Sequence, residues 1–313
     1  MNDPIHIIGY GPVGQALAER LCAAGHPVVV AQRSRPATLP PGAQFRPCDV
    51  LDPASVNAAC AGAGQVVLAI GLPYDSKVWA RDWPIAMANT LDACEAAGAR
   101  MLLIDNLYMY GPQTAPLTED MPLSGYGAKP RTRAQVTRLW RAASDEGRVV
   151  VAALRAPDFY GPGVGLSHLG DAALGALAKG KAAMSLMPPD TPHAYAYVPD
   201  FARAAESLLD APDSDWNQAW HVPCAPTTTP RALMNLAADA LGVKLRITSI
   251  PFGLLPLMGL FVPFVREVWE MRFIFDRPYR VDASKFARRF WSDATPFEVG
   301  VPAAALSFRA KPS

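Results

Sequence analysis

The stretch Ile5-His-Ile-Ile-Gly9-Tyr-Gly11-Pro-Val-Gly14 contains three glycines directly after a short apolar run. Apolar residues at helical spacing follow from Val13 to Ala24. Between a strand and a helix, a G-x-G-x-x-G turn lets a pyrophosphate approach backbone N–H groups and lets the helix pack closely on the strand. We therefore predict a phosphate-binding turn made of Gly9, Tyr10, Gly11, Pro12, Val13 and Gly14; the alternative is a tight turn that binds no ligand.

The alternation of strand and helix continues for some 150 residues. Further apolar runs typical of buried strands are Val28–Ala31, Phe45–Cys48, Val66–Ile70, Met101–Ile104 and Val149–Leu154. Helices are predicted between them at Pro53–Cys60, Pro84–Ala97 and Pro130–Ala143, each with proline in the first turn. This order predicts an α/β fold with a doubly wound parallel sheet of the Rossmann type.

The regular alternation of predicted strands and helices ends at about residue 160, where glycine and proline become frequent. We predict a dinucleotide-binding domain at 1–160, rejoined by about 196–224, and a smaller, discontinuous substrate domain at 161–195 and 225–313. Later elements are predicted as helices at Phe201–Asp210 and Pro230–Leu241 and a strand at Lys244–Ile250.

Composition narrows the function classes. Half of the 313 residues are hydrophobic, and 29 basic residues balance 28 acidic ones without long runs of either sign, so nucleic-acid binding is not expected. The five cysteines form no CxxC pair, and no zinc-ligand spacing accompanies them, so we expect reduced thiols, no metal site and a cytoplasmic location. The start has no signal-peptide pattern, and the apolar stretch 251–265 is too short to span a bilayer, so no membrane association is expected.

The end of the second predicted strand bears on the choice of cofactor. A carboxylate there would bind the ribose 2′-hydroxyl of NAD, but the sequence is Gln32-Arg33-Ser34-Arg35. A guanidinium can pair bidentately with a 2′-phosphate. We therefore predict NADP rather than NAD, with Arg33 and Ser34 in the cofactor site; the alternative is that the two arginines belong to a solvated loop.

Several short segments, in order and spacing, resemble the extended and atypical short-chain dehydrogenase/reductases, a group that includes the NAD-dependent epimerase/dehydratase family. These segments are Asp49-Val50, Leu68-Ala-Ile-Gly71, Asn106-Leu-Tyr-Met-Tyr-Gly111, Arg155-Ala-Pro-Asp-Phe-Tyr-Gly-Pro-Gly163 and Tyr197-Val-Pro-Asp-Phe-Ala-Arg-Ala204. The resemblance implies that Asp49 and Val50 hold the adenine. It implies further cofactor contacts from Ile70, Gly71, Leu72, Ala156, Pro157 and Phe159.

The catalytic positions depart from that family's pattern. Asn106 stands where the family has Ser or Thr, and an amide can donate a hydrogen bond but cannot relay a proton. The family's Y-x-x-x-K is matched one residue short by Tyr126-Gly-Ala-Lys129, followed by Pro130, which favours the first turn of a helix and would leave Tyr126 in the preceding loop. The resemblance implies Tyr126 as proton donor and Lys129 as ribose clamp; the alternative is that both are solvent-exposed loop residues. Tyr108 is the second candidate for proton donor.

We expect an NADP-dependent oxidoreductase that transfers hydride between nicotinamide and a small carbonyl or alcohol substrate. The alternatives are a nucleotide-sugar epimerase or dehydratase and a regulatory protein that binds NADP(H) without turnover. A homodimer is plausible on the family resemblance. The apolar stretch Ile250–Phe264 either lines an apolar substrate pocket or forms core or a subunit-packing surface.

Overall fold

The computed structural model describes residues 3–309. The chain forms two compact units. Unit 1 comprises the residues up to Met109, Leu123–Arg155 and Phe201–Trp220, and unit 2 comprises Tyr110–Pro122, Ala156–Asp200 and the residues from His221 onward. Residues 110–122 and 156–160, which lie inside the predicted range 1–160, are therefore part of unit 2. The functional names given to the two predicted domains stay predictions.

The chain alternates strands and helices as far as residue 155. The strands are β1 Ile5–Ile8, β2 Val28–Gln32, β3 Gln44–Pro47, β4 Gln65–Leu68, β5 Arg100–Asp105, β6 Val151–Arg155, β7 Phe159–Tyr160, β8 Ala183–Ser185, β9 Ala196–Tyr197, β10 Gln218–His221 and β11 Ile247–Ser249. The helices are α1 Pro12–Ala23, α2 Pro53–Cys60, α3 Ser76–Ala97, α4 Ala128–Asp145, α5 Leu174–Ala178, α6 Val198–Leu209, α7 Pro230–Leu241, α8 Leu255–Gly259, α9 Pro263–Glu270, α10 Ser284–Arg289 and α11 Phe297–Ser307.

Unit 1 is built on a seven-stranded sheet in the order β10-β6-β5-β4-β1-β2-β3. Strand β1 pairs in parallel with both β2 and β4, with Ile5 opposite Val28 on one side and Gln65 on the other. All four residues of β1 are buried, as expected of a strand covered on both faces. The strand order reverses at β1, so the carboxyl ends of β1 and β4 flank the crevice where such sheets bind ligands. The predicted doubly wound α/β fold is confirmed.

Three predicted helix starts differ from the structure by two residues or more. Helix α6, predicted from Phe201, begins at Val198. Helix α3 begins at Ser76 instead of Pro84, because the Asp75 carboxylate accepts hydrogen bonds from the backbone N–H groups of Lys77 and Val78 and caps the helix there. Pro84 consequently lies inside the helix. Helix α4 begins at Ala128, two residues before Pro130, after Gly127 turns the backbone at φ 59°.

Unit 2 contains two short strand pairs, β7 with β9 and β8 with β11. The predicted strand Lys244–Ile250 is reduced to Ile247–Ser249, because only these three residues pair with β8. An apolar cluster in this unit brings together residues of α5, α7 and α11. Helix α11 packs so closely that a Cβ on Gly300 would lie 2.5 Å from the Tyr160 hydroxyl.

The apolar segment that includes α8 and α9 is not core. Leu257, Leu260, Phe261 and Phe264 all have exposed side chains, and the exposed fraction of Phe261 is 80%. Of the alternatives for this segment, core is therefore contradicted at these positions, because only residues such as Leu255, Val265 and Val268 turn inward. Within residues 3–309, the helices are each too short or too polar to cross a lipid bilayer.

Candidate functional site

The three glycines of the turn after β1 have three different steric roles. A Cβ on Gly9, whose φ is 103°, would lie 2.5 Å from the carbonyl oxygen of Ala69. A Cβ on Gly14 would lie 2.2 Å from the carbonyl oxygen of Gly9, so α1 packs directly on the turn. At Gly11 a Cβ would meet no atom within 4 Å. Gly9 and Gly14 are therefore required by the packing of the protein itself, whereas Gly11 keeps space open in front of the helix.

The N-terminus of α1 provides a positive electrostatic environment next to this turn. Gly11 is the N-cap and supplies no capping side chain, and Pro12 occupies the first turn. The remaining N–H groups of the first turn lie at the positive end of the helix dipole, where an anion is stabilised. The residues present therefore fit the pyrophosphate of a dinucleotide, with Tyr10 half-buried beside the turn and Val13 buried beneath it.

The predicted nucleoside contacts lie after β2, β3 and β4. Arg33 and Ser34 are exposed beyond the end of β2, and the Gln32 side-chain amide donates to the Ser34 carbonyl at 2.8 Å. Asp49 is exposed, and its carboxylate accepts from the Leu51 N–H at 3.0 Å, while Val50 packs against the core. After β4, Ile70 and Leu72 pack on the same core and Gly71 is exposed.

Lys129 is the most buried of the predicted catalytic residues. Its side chain is wholly inaccessible at the start of α4. The ammonium Nζ donates to Ser76 Oγ at 3.1 Å and lies 4.5 Å from the ring centroid of Tyr74, a cation–π contact. Tyr74 packs edge-on against Trp79 at 5.8 Å, and Trp79 stacks on Tyr108 at 6.0 Å. We call Tyr74, Ser76, Trp79, Tyr108 and Lys129 the lysine cluster.

Tyr126 and Asn106 lie near the ends of the elements that carry this cluster. Tyr126 is half-buried in the loop before α4, as the position of Pro130 predicts, and its N–H donates to Ser124 Oγ at 3.0 Å. Asn106 follows β5, and its side-chain oxygen accepts from the Tyr108 N–H at 3.0 Å. That bond fixes the Asn106 amide oxygen to the turn, so the amide NH2 is the group available to donate.

Sequence reasoning missed two parts of unit 1. Ser76 and Tyr74, which hold Lys129, are separated from it by more than fifty residues and carry no motif of their own. The second part is a buried charge network, in which Asp105 accepts from Arg133 and, at 3.4 Å, from Arg155. Because the Asn106 N–H also donates to Asp105 at 2.7 Å, this network holds the backbone at the predicted catalytic position.

The remaining predicted cofactor residues belong to unit 2. Ala156 and Pro157 are buried between β6 and β7, and Phe159 is half-buried in β7, where it pairs with Ala196.

All five cysteines have free thiols: Cys48, Cys60 and Cys94 are buried, and Cys22 and Cys224 are half-buried.

Comparison with known protein families supports the resemblance seen in the sequence. The chain matches the NAD dependent epimerase/dehydratase family over residues 5–222, which span the glycine turn, the whole sheet and the candidate catalytic segments. The chain belongs to the NAD-dependent epimerase/dehydratase family. A comparison with curated protein sequences found no significant match to this chain.

Solved structures share the fold of this family member at low sequence identity. UDP-glucose 4-epimerase of Thermus thermophilus, in complex with NAD, is 18% identical with a TM-score of 0.78, and the match covers 98% of this chain and 99% of that one. The enzyme WbmH of Bordetella bronchiseptica, in complex with NAD+, is also 18% identical, with a TM-score of 0.76 and 98% of each chain covered.

A double mutant of DesIV, a dTDP-glucose 4,6-dehydratase of Streptomyces venezuelae with NAD and DAU bound, is 17% identical with a TM-score of 0.78. That match covers 99% of this chain and 97% of DesIV. At such identities the likeness shows a common fold.

Proposed function

We propose that this chain is an NADP-dependent oxidoreductase that transfers hydride between nicotinamide and a small carbonyl or alcohol substrate. The observation that carries the proposal is the open space at Gly11, in front of a helix N-terminus, in a turn where Gly9 and Gly14 are sterically required. Membership of the NAD-dependent epimerase/dehydratase family supports a nicotinamide dinucleotide as the ligand of that turn.

The preference for NADP rests on the end of β2. Gln32-Arg33-Ser34-Arg35 contains no carboxylate to bind a 2′-hydroxyl, and Arg33 is exposed. Arg35 lies over the Phe45 ring, 5.7 Å from its centroid, so Arg33 is the better candidate to meet a 2′-phosphate. The solved relatives that contain NAD make NAD the cofactor to test against it.

The reaction divides between the cofactor and this chain's own side chains. The bound nicotinamide would supply or accept the hydride at its C4 carbon. In the reducing direction, the Tyr126 hydroxyl would donate a proton to the substrate oxygen, and the Asn106 amide would donate a hydrogen bond to that oxygen. By the family resemblance, Lys129 would hold the nicotinamide ribose, for which its buried Nζ would have to turn from Ser76 toward the cofactor.

A second candidate function is epimerisation or dehydration of a nucleotide sugar. It is favoured by the solved structures of the same fold, which include a UDP-glucose 4-epimerase and a dTDP-glucose 4,6-dehydratase. Asn106 in place of a hydroxyl residue, and the shortened spacing from Tyr126 to Lys129, weigh against it.

Two measurements on the purified chain test these proposals. Fluorescence titration with NADPH and NADH should give saturable binding with a lower Kd for NADPH; tighter binding of NADH would remove the argument from Arg33. Single-turnover oxidation of bound NADPH by a panel of aldehydes and ketones should give a substrate-dependent loss of absorbance. Conversion of UDP- or dTDP-hexoses without net change in NADPH would favour the second function, and binding without turnover of either panel would contradict both.

A further inference from the structure

We infer that unit 2 contains a binding site for a divalent transition metal of the zinc class, formed by Asp158, His168 and His193. Asp158 lies between β6 and β7, His168 lies before α5, and His193 lies three residues before β9. One ligand atom from each side chain lies within 4.8 Å of the other two. One carboxylate and two imidazoles form a donor set that zinc accepts in proteins.

The distances between the ligand atoms agree with such a site. His193 Nε2 lies 2.7 Å and His168 Nδ1 lies 3.1 Å from the same oxygen, Asp158 Oδ2. Around a tetrahedral zinc ion with bonds of about 2.0–2.1 Å, neighbouring ligand atoms are about 3.3 Å apart. Each histidine nitrogen therefore lies within a few tenths of an ångström of the expected separation from Asp158 Oδ2, and the two nitrogens lie within 4.8 Å of each other.

The second ring nitrogen of His193 is held as in a metal ligand. Its Nδ1 lies 3.0 Å from the backbone carbonyl oxygen of Ile274, an acceptor, so Nδ1 carries the hydrogen. Metal-bound histidines usually donate their other N–H to a carbonyl or carboxylate, which fixes the tautomer and orients the ring. The other ring nitrogen, Nε2, lies 2.7 Å from Asp158 Oδ2 and is the atom that faces the proposed ion.

His168 gives an independent indication. Its Nδ1 is buried and lies 3.1 Å from Asp158 Oδ2, but the angles do not allow a hydrogen bond, so within the described residues this nitrogen has no hydrogen-bond partner. The two atoms are therefore close without a hydrogen bond between them, as two ligand atoms of one ion are. The ring of His168 is fixed in this position by edge contact with Phe275, whose centroid is 4.5 Å away.

Aromatic rings and buried hydroxyl groups surround the two histidines of this site. His193 is wholly buried, with the Tyr279 ring stacked on it at 5.0 Å and the Tyr195 ring tilted against it at 4.7 Å. Ser167 and Tyr279 each bury a hydroxyl group without a partner in the part of the chain that the structure describes. Three protein ligands leave a fourth coordination position, which a water molecule would complete.

The experiment measures metal binding directly, so it does not depend on cofactor or substrate. The full chain, free of any affinity tag, is titrated with Zn²⁺ against a fluorescent zinc indicator, and with Co²⁺ to record the visible absorption of tetrahedral cobalt. Wild type should bind one equivalent of Zn²⁺, and H168A should weaken that binding by more than about tenfold, since losing a residue that only hydrogen-bonds to a metal ligand already costs about 10–100-fold. The matched control is H26A, because His26 is also partly exposed and faces one carboxylate, Asp210, at 4.0 Å.

The outcomes separate a built site from incidental binding. Loss of the cobalt spectrum in H168A and in the isosteric D158N, with H26A unchanged and all three variants folded by circular dichroism, supports the proposal. The absence of saturable Zn²⁺ binding by wild type, or equal Zn²⁺ affinities of H168A and H26A, would overturn it. If H168A fails to fold, D158N provides the same comparison.

Discussion

The glycine turn, Gly9–Gly14, and the lysine cluster both belong to unit 1. The turn is determined by residues that are near in sequence, whereas the cluster is determined by residues that are distant in sequence. In the turn, the requirements are steric and local: a Cβ on Gly14 would lie 2.2 Å from the Gly9 carbonyl oxygen, five residues earlier. In the lysine cluster, Lys129 is held by Ser76 and Tyr74, which are more than fifty residues away in sequence. A motif can therefore specify the first region, whereas only the folded chain assembles the second.

We expect the largest effect from replacing the proton donor, which is either Tyr126, outside the lysine cluster, or Tyr108, within it. Replacing Tyr126 with phenylalanine removes the proposed proton donor and should lower kcat by about 10²–10⁴-fold, the usual contribution of a general acid. Y108F, within the cluster, should lower kcat by less than about threefold, a change worth under about 0.7 kcal/mol. Steady-state kinetics with NADPH measures both. The opposite pattern would place the donor in the cluster.

The glycines of the turn should respond differently to substitution. Gly11→Val adds a side chain where nothing lies within 4 Å, so the melting temperature should be unchanged while NADPH affinity falls about 100-fold, roughly 2.7 kcal/mol. Gly14→Ala forces a clash with the Gly9 carbonyl and should lower the free energy of unfolding by about 1–3 kcal/mol. Thermal melts and fluorescence titrations check both. A G11V variant that binds NADPH like wild type would contradict the role of the turn.

A substitution of Arg33 tests the proposed preference for NADP over NAD. Arg33→Glu removes the proposed partner of the 2′-phosphate and supplies a carboxylate for a 2′-hydroxyl. We expect about a tenfold loss in NADPH affinity and a gain in NADH affinity, measured as a ratio of Kd values. R131E, an exposed arginine on α4, is the control and should leave the ratio unchanged. Equal effects of the two substitutions would indicate only a general loss of positive charge.

The smallest expected effect lies in the support of Lys129. Ser76→Ala removes the 3.1 Å hydrogen bond to the ammonium and should raise KM for NADPH a few-fold, which corresponds to about 0.5–1 kcal/mol, within the usual net range for one hydrogen bond. S76T retains a hydroxyl and should restore part of the loss. If S76A and S76T behave alike, the bond does not position Lys129.

The contrast also explains what the sequence could predict. The predicted strands of the sheet and their parallel pairing follow from local patterns, and they are confirmed to within two residues. The start of α3 differs from its prediction because proline at position 84 is a strong signal for a first turn, whereas the cap that begins the helix is Asp75, nine residues earlier. NADP preference and the roles of Tyr126 and Lys129 stay predictions.

The charged clusters were beyond sequence reasoning for a different reason. Asp158, His168 and His193 are separated by 10 and 25 residues, so no ligand-spacing motif connects them. Asp105, Arg133 and Arg155 come from β5, α4 and β6, and only the parallel pairing of β5 with β6 places Asp105 opposite Arg155. Such contacts depend on strand register and helix packing, which single-sequence patterns do not determine.

The complete burial of the Lys129 ammonium also matters for handling the protein. Acylating and reductive-methylation reagents react with amines that reach solvent, and Lys77, Lys179, Lys181 and Lys244 are exposed whereas Lys129 is not. Surface immobilisation or fluorophore attachment through lysine should therefore label the outside of the molecule and leave the amine beside Ser76 and Tyr74 chemically intact.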